Sequence, residues 1–229
     1  GKEKGVQLIM HHETSAAPRT YDQQMEAAYQ LCEDLVIHAV KSGYVGKIIP
    51  DGYYHHGQWM VQHYQRVIET AAKHKVAVNA HEPIKATGKR RTWPNIISRE
   101  GLRGQEFNAW SVEGGNPPDH LPIVAFTRML GGPIDFTPGI FAIKLARKQR
   151  DVSAENSAQK PNQSNTTLAQ QLALYVVIYS PVQMAADLPE NYMGQPGFLF
   201  IKDVAVDWQE SHVLAGEVGE YVAIARKER

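Results

Sequence analysis

The chain has 229 residues, of which 43% are hydrophobic and 21% charged, a composition that supports a folded core and excludes disorder as the main state. Basic and acidic residues number 24 each, so a formal net charge of zero argues against a nucleic-acid or anionic-membrane partner. The single cysteine, Cys32, excludes an internal disulfide and a cysteine-rich zinc site, and the absence of an apolar run of about 18 residues argues against a membrane span.

The first half of the chain alternates between short apolar runs and longer amphipathic segments. Thr20 and Gln23 have the spacing of a capping box at the start of a helix. This alternation predicts βαβ crossovers and a parallel sheet. The predicted elements are a strand at residues 6–10, a helix from about residue 20, a strand at 36–41, a helix at 58–74 and a strand in VAVNAHE, residues 76–82.

The second half is less regular. Residues 86–120 form a long, turn-rich loop of a length that is more often functional than accidental, and residues 121–139 are expected to add further barrel elements. Residues 151–166 are polar and predict an exposed connection. A largely buried helix is predicted from about 167 to 186, with Pro181 ending or kinking it.

The pattern favours an α/β fold of the (β/α)8 TIM-barrel type, present as a partial barrel. A complete barrel needs about 250 residues, whereas this chain supplies about four to six strand–helix units and starts on a strand, as a piece of a longer protein would. The alternative is a complete doubly wound domain, although no glycine-rich phosphate-binding motif occurs.

Carboxylates follow the predicted strands. Glu13 and Glu82 stand at strand ends, and Glu100 and Glu106 lie in the loop that follows Glu82. In a parallel barrel such residues converge on one mouth. A cluster of this kind suits Ca²⁺, which prefers oxygen ligands, and it also suits glycoside hydrolysis, which needs paired carboxyl groups.

Histidines and a lysine share these positions. His11 and His81 are interpreted as hydrogen-bonding sugar hydroxyls, and Lys41 as a substrate contact at the end of the second strand. A zinc hydrolase is the alternative for the histidines, but an H-x-H pair on the first strand and a metal-bridging lysine are not evident.

Several motifs carry a family resemblance over essentially the whole chain: HHETS, VKSGYVG, VNAHEPIKATGKRRTWPN, REGLRGQEF, GGPIDFTPG and QLALYVVIYSPVQMAADLPENY. They resemble the catalytic region of glycoside hydrolase family 97, the α-glucosidases and α-galactosidases of bacterial glycan-utilisation systems. The resemblance implies a catalytic (β/α)8 barrel with Ca²⁺, flanked by an N-terminal β-sandwich and a smaller C-terminal one, in a periplasmic or secreted protein. Residues 1–197 would then belong to the barrel and 198–229 to the start of the C-terminal β-sandwich.

Residue roles follow from the same resemblance. Glu106 matches the general acid, and Glu82, Glu100 and Glu106 match calcium ligands, a further ligand belonging to the N-terminal domain. Glu13 and Glu82 match the bases of the inverting branch. In the retaining branch an aspartate nucleophile stands at or next to the place of Gly43.

The missing nucleophile predicts single displacement with inversion, with acid and base about 6.5 to 9.5 Å apart. The expected substrates are starch-derived oligosaccharides with α-glucosidic bonds. Two alternatives stay open. One is a relative of the retaining α-galactosidases, and the other is a fragment that is non-catalytic when isolated and binds calcium weakly or not at all.

Overall fold

The computed structural model describes residues 1–43, 46–144 and 163–229. These residues divide into two compact units. The first unit consists of Gly1–Gly101 and Gly131–Pro133, and the second consists of Leu102–Leu130 and Ile134–Arg229. In the described part of the chain no helix is both long and apolar enough to cross a membrane.

The first unit is built on a four-stranded sheet whose strands are all parallel and lie side by side in chain order. This confirms the predicted α/β architecture with crossover helices. The strands are β1 (Ile9–Glu13), β2 (Ala39–Gly43), β3 (Ala77–Ala80) and β4 (Ile96–Arg99), and the helices are α1 (Pro18–Asp34) and α2 (Gln58–Lys73). The rest of a closed barrel remains a prediction.

One face of this sheet forms the core with the two helices. Val40 and Val78 are buried on that face, and α1 and α2 cover it with side chains that include Tyr29, Cys32 and Met60. Cys32 is fully buried in this core. Because successive strand residues point to opposite faces, the residues between these core positions face the other side of the sheet.

Three boundaries differ from the sequence predictions. β1 starts at Ile9 rather than residue 6, so the polar HHE lies inside the strand, and β2 starts at Ala39 rather than residue 36. The parallel pairing fixes both shifts, since Ile9 pairs with Ala39 and Glu13 with Gly43. The predicted capping box is wrong: α1 begins at Pro18, whose ring sets the φ of the first turn, and no side chain caps the helix.

The long loop predicted over residues 86–120 contains short elements. A 3-10 turn covers Lys89–Arg91, β4 joins the sheet edge, and the four-residue helix α3 (Phe107–Trp110) follows. β4 was missed because it has only four residues and its sequence, IISR, carries no alternating pattern long enough to detect.

The second unit holds a smaller apolar core and an antiparallel hairpin. Val124, Ile134, Phe136, Leu174 and Ile178 form the core. The hairpin pairs the last two strands of the chain. After α3, the helices and strands of the second unit are α4 (His120–Phe126), α5 (Leu168–Val177), α6 (Pro189–Tyr192), α7 (Gly197–Asp203), β5 (Trp208–Glu217) and β6 (Tyr221–Glu228).

α5 is shorter than predicted because the chain turns before Pro181. The Gln183 side chain donates to the carbonyls of Tyr175 and Ile178 at 3.4 and 3.2 Å, and these are carbonyls that the helix end would otherwise leave without a partner. Most of the predicted polar connection at 151–166 lies outside the described residues. The hairpin gives partial support to a β-sandwich start, and the boundary at residue 197 stays a prediction.

Candidate active site

Six of the predicted site residues lie in the first unit, towards the carboxyl edge of its sheet. Across the four strands, His11 pairs with Lys41, Lys41 with Asn79, and Asn79 with Ser98. Residues two positions further along share the same face. That next row contains the predicted site residues Glu13, His81 and Glu100, together with Gly43, which pairs with Glu13.

One contact lies within β1, and the other joins two neighbouring strand ends. His11 Nε2 lies 3.8 Å from Glu13 Oε2, and His81 Nδ1 lies 3.6 Å from Glu100 Oε2. The Glu100 side chain is buried, whereas those of His11 and Glu13 are largely open to solvent. The row therefore contains one buried carboxylate beside a histidine and one accessible carboxylate, which are environments suited to different tasks.

Gly43 marks a place in the row where no side chain fits. A Cβ on this residue would lie 2.5 Å from His81 Cβ and 2.8 Å from the His81 carbonyl oxygen. The chains are drawn together by hydrogen bonds from His81 N to the Ser42 carbonyl at 2.7 Å and from Thr14 N to the Gly43 carbonyl at 2.9 Å. The close approach of the two strand ends thus requires glycine.

Glu82 follows in a strained conformation. Its φ of +43° lies in the left-handed region, which costs a residue with a side chain free energy. Two contacts hold it there: Glu82 N donates to Glu100 Oε2 at 3.2 Å, and the Tyr64 hydroxyl donates to the Glu82 carbonyl. The same hydroxyl lies 3.2 Å from the His81 carbonyl. The turn is therefore fixed on both sides while the Glu82 side chain remains exposed.

Tyr64 is the site residue that sequence analysis missed, since its place on the apolar stripe of α2 suggested only a packing role. Burial, followed by the charges of Glu82 and Glu100, raises the pKa of the Tyr64 hydroxyl far above its usual range. The hydroxyl therefore stays a proton donor to the turn at all working pH values. A usable signal was available, because a buried tyrosine hydroxyl normally needs a hydrogen-bond acceptor.

Adjacent histidines on β1 take opposite roles. His11 faces the site, whereas His12 points into the core, where its Nδ1 lies 2.8 Å from the Tyr21 hydroxyl and its Nε2 lies 3.7 Å from Cys32 Sγ. Burial and the neighbouring His11 lower the pKa of His12. A neutral imidazole is thus favoured in the core.

Glu106 belongs to the second unit. It is exposed and occupies the position that precedes the first turn of α3. The turn before it, Gly104 and Gln105, is buried. The predicted acid is thus presented to solvent by an anchored backbone.

Two of the predicted calcium ligands, Glu82 and Glu100, lie in the first unit. Among the described residues no three His, Cys, Asp or Glu side chains form a ready metal-binding group. The first unit does place Glu82 and Glu100 on adjacent strand ends, with one Glu100 oxygen on the Glu82 backbone. Carboxylate oxygens are the donors that Ca²⁺ prefers, so the chemistry of these two residues fits the ion.

Comparison with known proteins identifies the family. The family model described as Glycoside hydrolase 97 matches residues 1–102. A solved family 97 enzyme from Pseudoalteromonas sp. strain K8, in complex with acarbose, is 51% identical and aligns over 100% of this chain with a TM-score of 0.88. The chain belongs to glycoside hydrolase family 97. A variant of the same Pseudoalteromonas enzyme, in complex with panose, gives the same identity and TM-score.

Two curated relatives are also similar to this family 97 chain. A retaining α-galactosidase of Bacteroides thetaiotaomicron is 36% identical over 163 residues, and a probable retaining α-galactosidase of Streptomyces bingchenggensis is 32% identical over 166 residues. The chain spans only 24% and 22% of these relatives, and 35% of the Pseudoalteromonas enzyme. Each alignment with a curated relative covers 71% of this chain.

Proposed function

We propose that the protein to which this chain belongs is an inverting glycosidase that cleaves α-glucosidic bonds of starch-derived oligosaccharides. The observation that carries the proposal is Gly43. A retaining enzyme needs a carboxylate nucleophile about 5 Å from the acid. The retaining branch of the family has that carboxylate at the strand end where this chain has Gly43. Here His81 takes the space, because a Cβ on Gly43 would lie only 2.5 Å from His81 Cβ.

Without a nucleophile, water must attack the anomeric carbon directly. Glu13 is accessible and stands in the row with Gly43, and Glu82 is exposed just beyond the end of β3. We assign these two residues as the bases that take a proton from the attacking water, and Glu106 as the acid that protonates the leaving oxygen. His11, Lys41 and His81 line the same edge and would hydrogen-bond the sugar hydroxyls.

The ion we propose is Ca²⁺, held by Glu82, Glu100 and Glu106. When bound, it would supply positive charge that reduces repulsion between the carboxylates and polarises the bound sugar. The buried Glu100 side chain supports this assignment, since a buried carboxylate needs a cation or strong hydrogen bonds. Chelation of Ca²⁺ should abolish hydrolysis, and Glu100→Gln should raise the Ca²⁺ concentration required.

Substrate choice rests on the more similar relative. The enzyme at 51% identity binds panose and acarbose, and panose is built from α-linked glucose units. The relatives named as α-galactosidases are 36% and 32% identical. An α-glucosidic substrate is therefore favoured, and a periplasmic or secreted location would bring the protein to such oligosaccharides.

Stereochemistry provides the test. We would follow the anomeric proton signals by NMR during hydrolysis of an α-glucoside by the full-length protein. β-Glucose formed first supports inversion, and α-glucose formed first rejects it.

The second candidate is a relative of the retaining α-galactosidases, which the two curated relatives favour. Aryl α-galactosides and α-glucosides, tested side by side, separate the two candidates. Calcium titration and turnover of the 229-residue chain against the full-length protein test whether the isolated chain is catalytically inactive, as we expect.

A further inference from the structure

The second unit contains a buried cluster of side-chain amides beside the residue proposed as the acid. Gln171, on α5, is only 1% exposed, and the other members are also buried. These are Gln105, Asn108 and Asn116. A buried amide must be hydrogen-bonded, and these four are bonded mainly to one another and to nearby backbone.

Gln171 is the centre of the cluster. Its Oε1 accepts hydrogen bonds from Gln105 Nε2 at 2.8 Å, from Gly139 N at 3.1 Å and from Ile140 N at 3.2 Å. Its Nε2 lies 3.3 Å from Thr166 Oγ1. One side chain on a helix thus ties together two separate loops, and the bond to Gln105 reaches the residue directly before Glu106.

The remaining bonds hold that turn from the other side. Gln105 Oε1 accepts from Asn108 Nδ2 at 3.1 Å, and Asn108 Oδ1 accepts from the Asn116 backbone N–H at 2.7 Å. Asn116 Nδ2 donates to the Gly104 carbonyl at 2.9 Å. Gly104 and Gln105 are therefore fixed by side chains from both directions, whereas the next residue, Glu106, is exposed.

We propose that Gln171 is a positioning residue that holds the proposed general acid Glu106 in its working orientation through Gln105. This proposal rests on the proposed function. General acid catalysis depends on placing the proton within hydrogen-bond reach of the leaving oxygen, so small displacements are costly. Because the amides are uncharged, they fix the backbone without adding a charge near the carboxyl group.

The test separates acid catalysis from general damage by the choice of leaving group. The fluoride ion leaves a glycosyl fluoride without needing a proton from the acid, whereas the leaving oxygen of an oligosaccharide must be protonated. In the full-length protein, Gln171→Met should lower kcat for an α-glucosidic trisaccharide by about tenfold or more, with KM and the rate on α-glucosyl fluoride little changed. An equal loss on both substrates, or no loss on either, would overturn the proposal.

Further variants complete the design. Gln105→Met removes the other partner of the same bond and should give the same pattern even if Gln171→Met does not fold. Leu168→Met, at the exposed first position of α5, leaves the amide cluster intact and should behave as wild type.

Glu106→Gln tests the proposed function separately. Because Glu106 is also a proposed Ca²⁺ ligand, the assay is run at saturating Ca²⁺. If Glu106 is the acid, the variant must then lose trisaccharide hydrolysis and keep hydrolysis of the fluoride. If it does not, the assignment of the acid fails, whatever the Gln171 variants show.

Discussion

Gly43→Ala tests the close contact between Gly43 and His81, which joins two strand ends of the proposed site. The added Cβ would have to move from 2.5 Å to at least about 3.4 Å from His81 Cβ, a separation of about 0.9 Å between two strand ends. The other atoms it meets are the backbone O and C of His81, at 2.8 and 2.9 Å, so no rotamer change relieves the overlap. Gly43 does not have a left-handed φ, so the cost arises from space alone.

Overpacking of this kind costs about 1–3 kcal/mol, and the backbone contacts place Gly43→Ala at the upper end. Separation of the strand ends would also lengthen the hydrogen bond from His81 N to the Ser42 carbonyl. With a slope of about 1–3 kcal/mol per molar urea, the midpoint of urea unfolding should fall by about 1 M. Tryptophan fluorescence can follow the transition.

The control is Gly197→Ala at the start of α7, where the nearest atoms are side-chain carbons of Leu172 and Phe141, both at 3.3 Å. These side chains can shift, and alanine favours a helix, so stability should be unchanged or slightly raised. A Gly43→Ala midpoint equal to that of wild type would refute the steric argument.

Three further predictions concern the turn, the pH response and the core. Glu82→Gly should abolish hydrolysis yet stabilise the fold by up to about 1 kcal/mol, measured by urea unfolding. Glycine adopts the left-handed φ of this position without strain, and the greater flexibility of the unfolded chain offsets part of that gain. Burial alone would raise the pKa of Asp187, but N–H donors that include those of Phe141 and Ala142 outweigh it and lower the pKa below 3.8. The bound carboxylate therefore stabilises the fold above about pH 3.8. Asp187→Asn should lower the free energy of unfolding by about 1–3 kcal/mol at pH 7, and by progressively less as the pH falls below about 3.8. Equal losses at pH 7 and pH 3 would contradict this. Burial also raises the pKa of the Cys32 thiol, so a thiol reagent should label the protein only after unfolding, and rapid labelling of the native protein would show that the core is open.

The parallel sheet was predictable because apolar runs and amphipathic helices alternate along the first half of the chain. The position of β1 was not. Val6 and Leu8 belong to the apolar run that predicted the strand, yet they are 60% and 70% exposed. Hydrophobicity alone could not locate β1, because its position is set by pairing with β2, and that pairing places two histidines and a glutamate inside the strand.

In the first unit, the positions of the strand-end glutamates and His81 at the carboxyl edge of the sheet were predictable from their places after the strands, whereas their roles stay proposals. The contact between Gly43 and His81 was not, since it joins residues 38 positions apart through the register of β2 and β3. The role of Tyr64 was hidden for a similar reason. Its hydroxyl reaches a turn that is distant in sequence, and only the packing of α2 on the sheet brings the two together.

Register links the fold of the first unit to its chemistry. His11 and Glu13 face the site because His12, between them, is held in the core by Tyr21 and lies beside Cys32. A slip of one residue in β1 would move His12 to the site, bury His11 and turn Glu13 away, because side chains alternate between the two faces of a strand. The buried histidine therefore does more than fill space, since its hydrogen bond to Tyr21 is compatible only with the register that presents the proposed base.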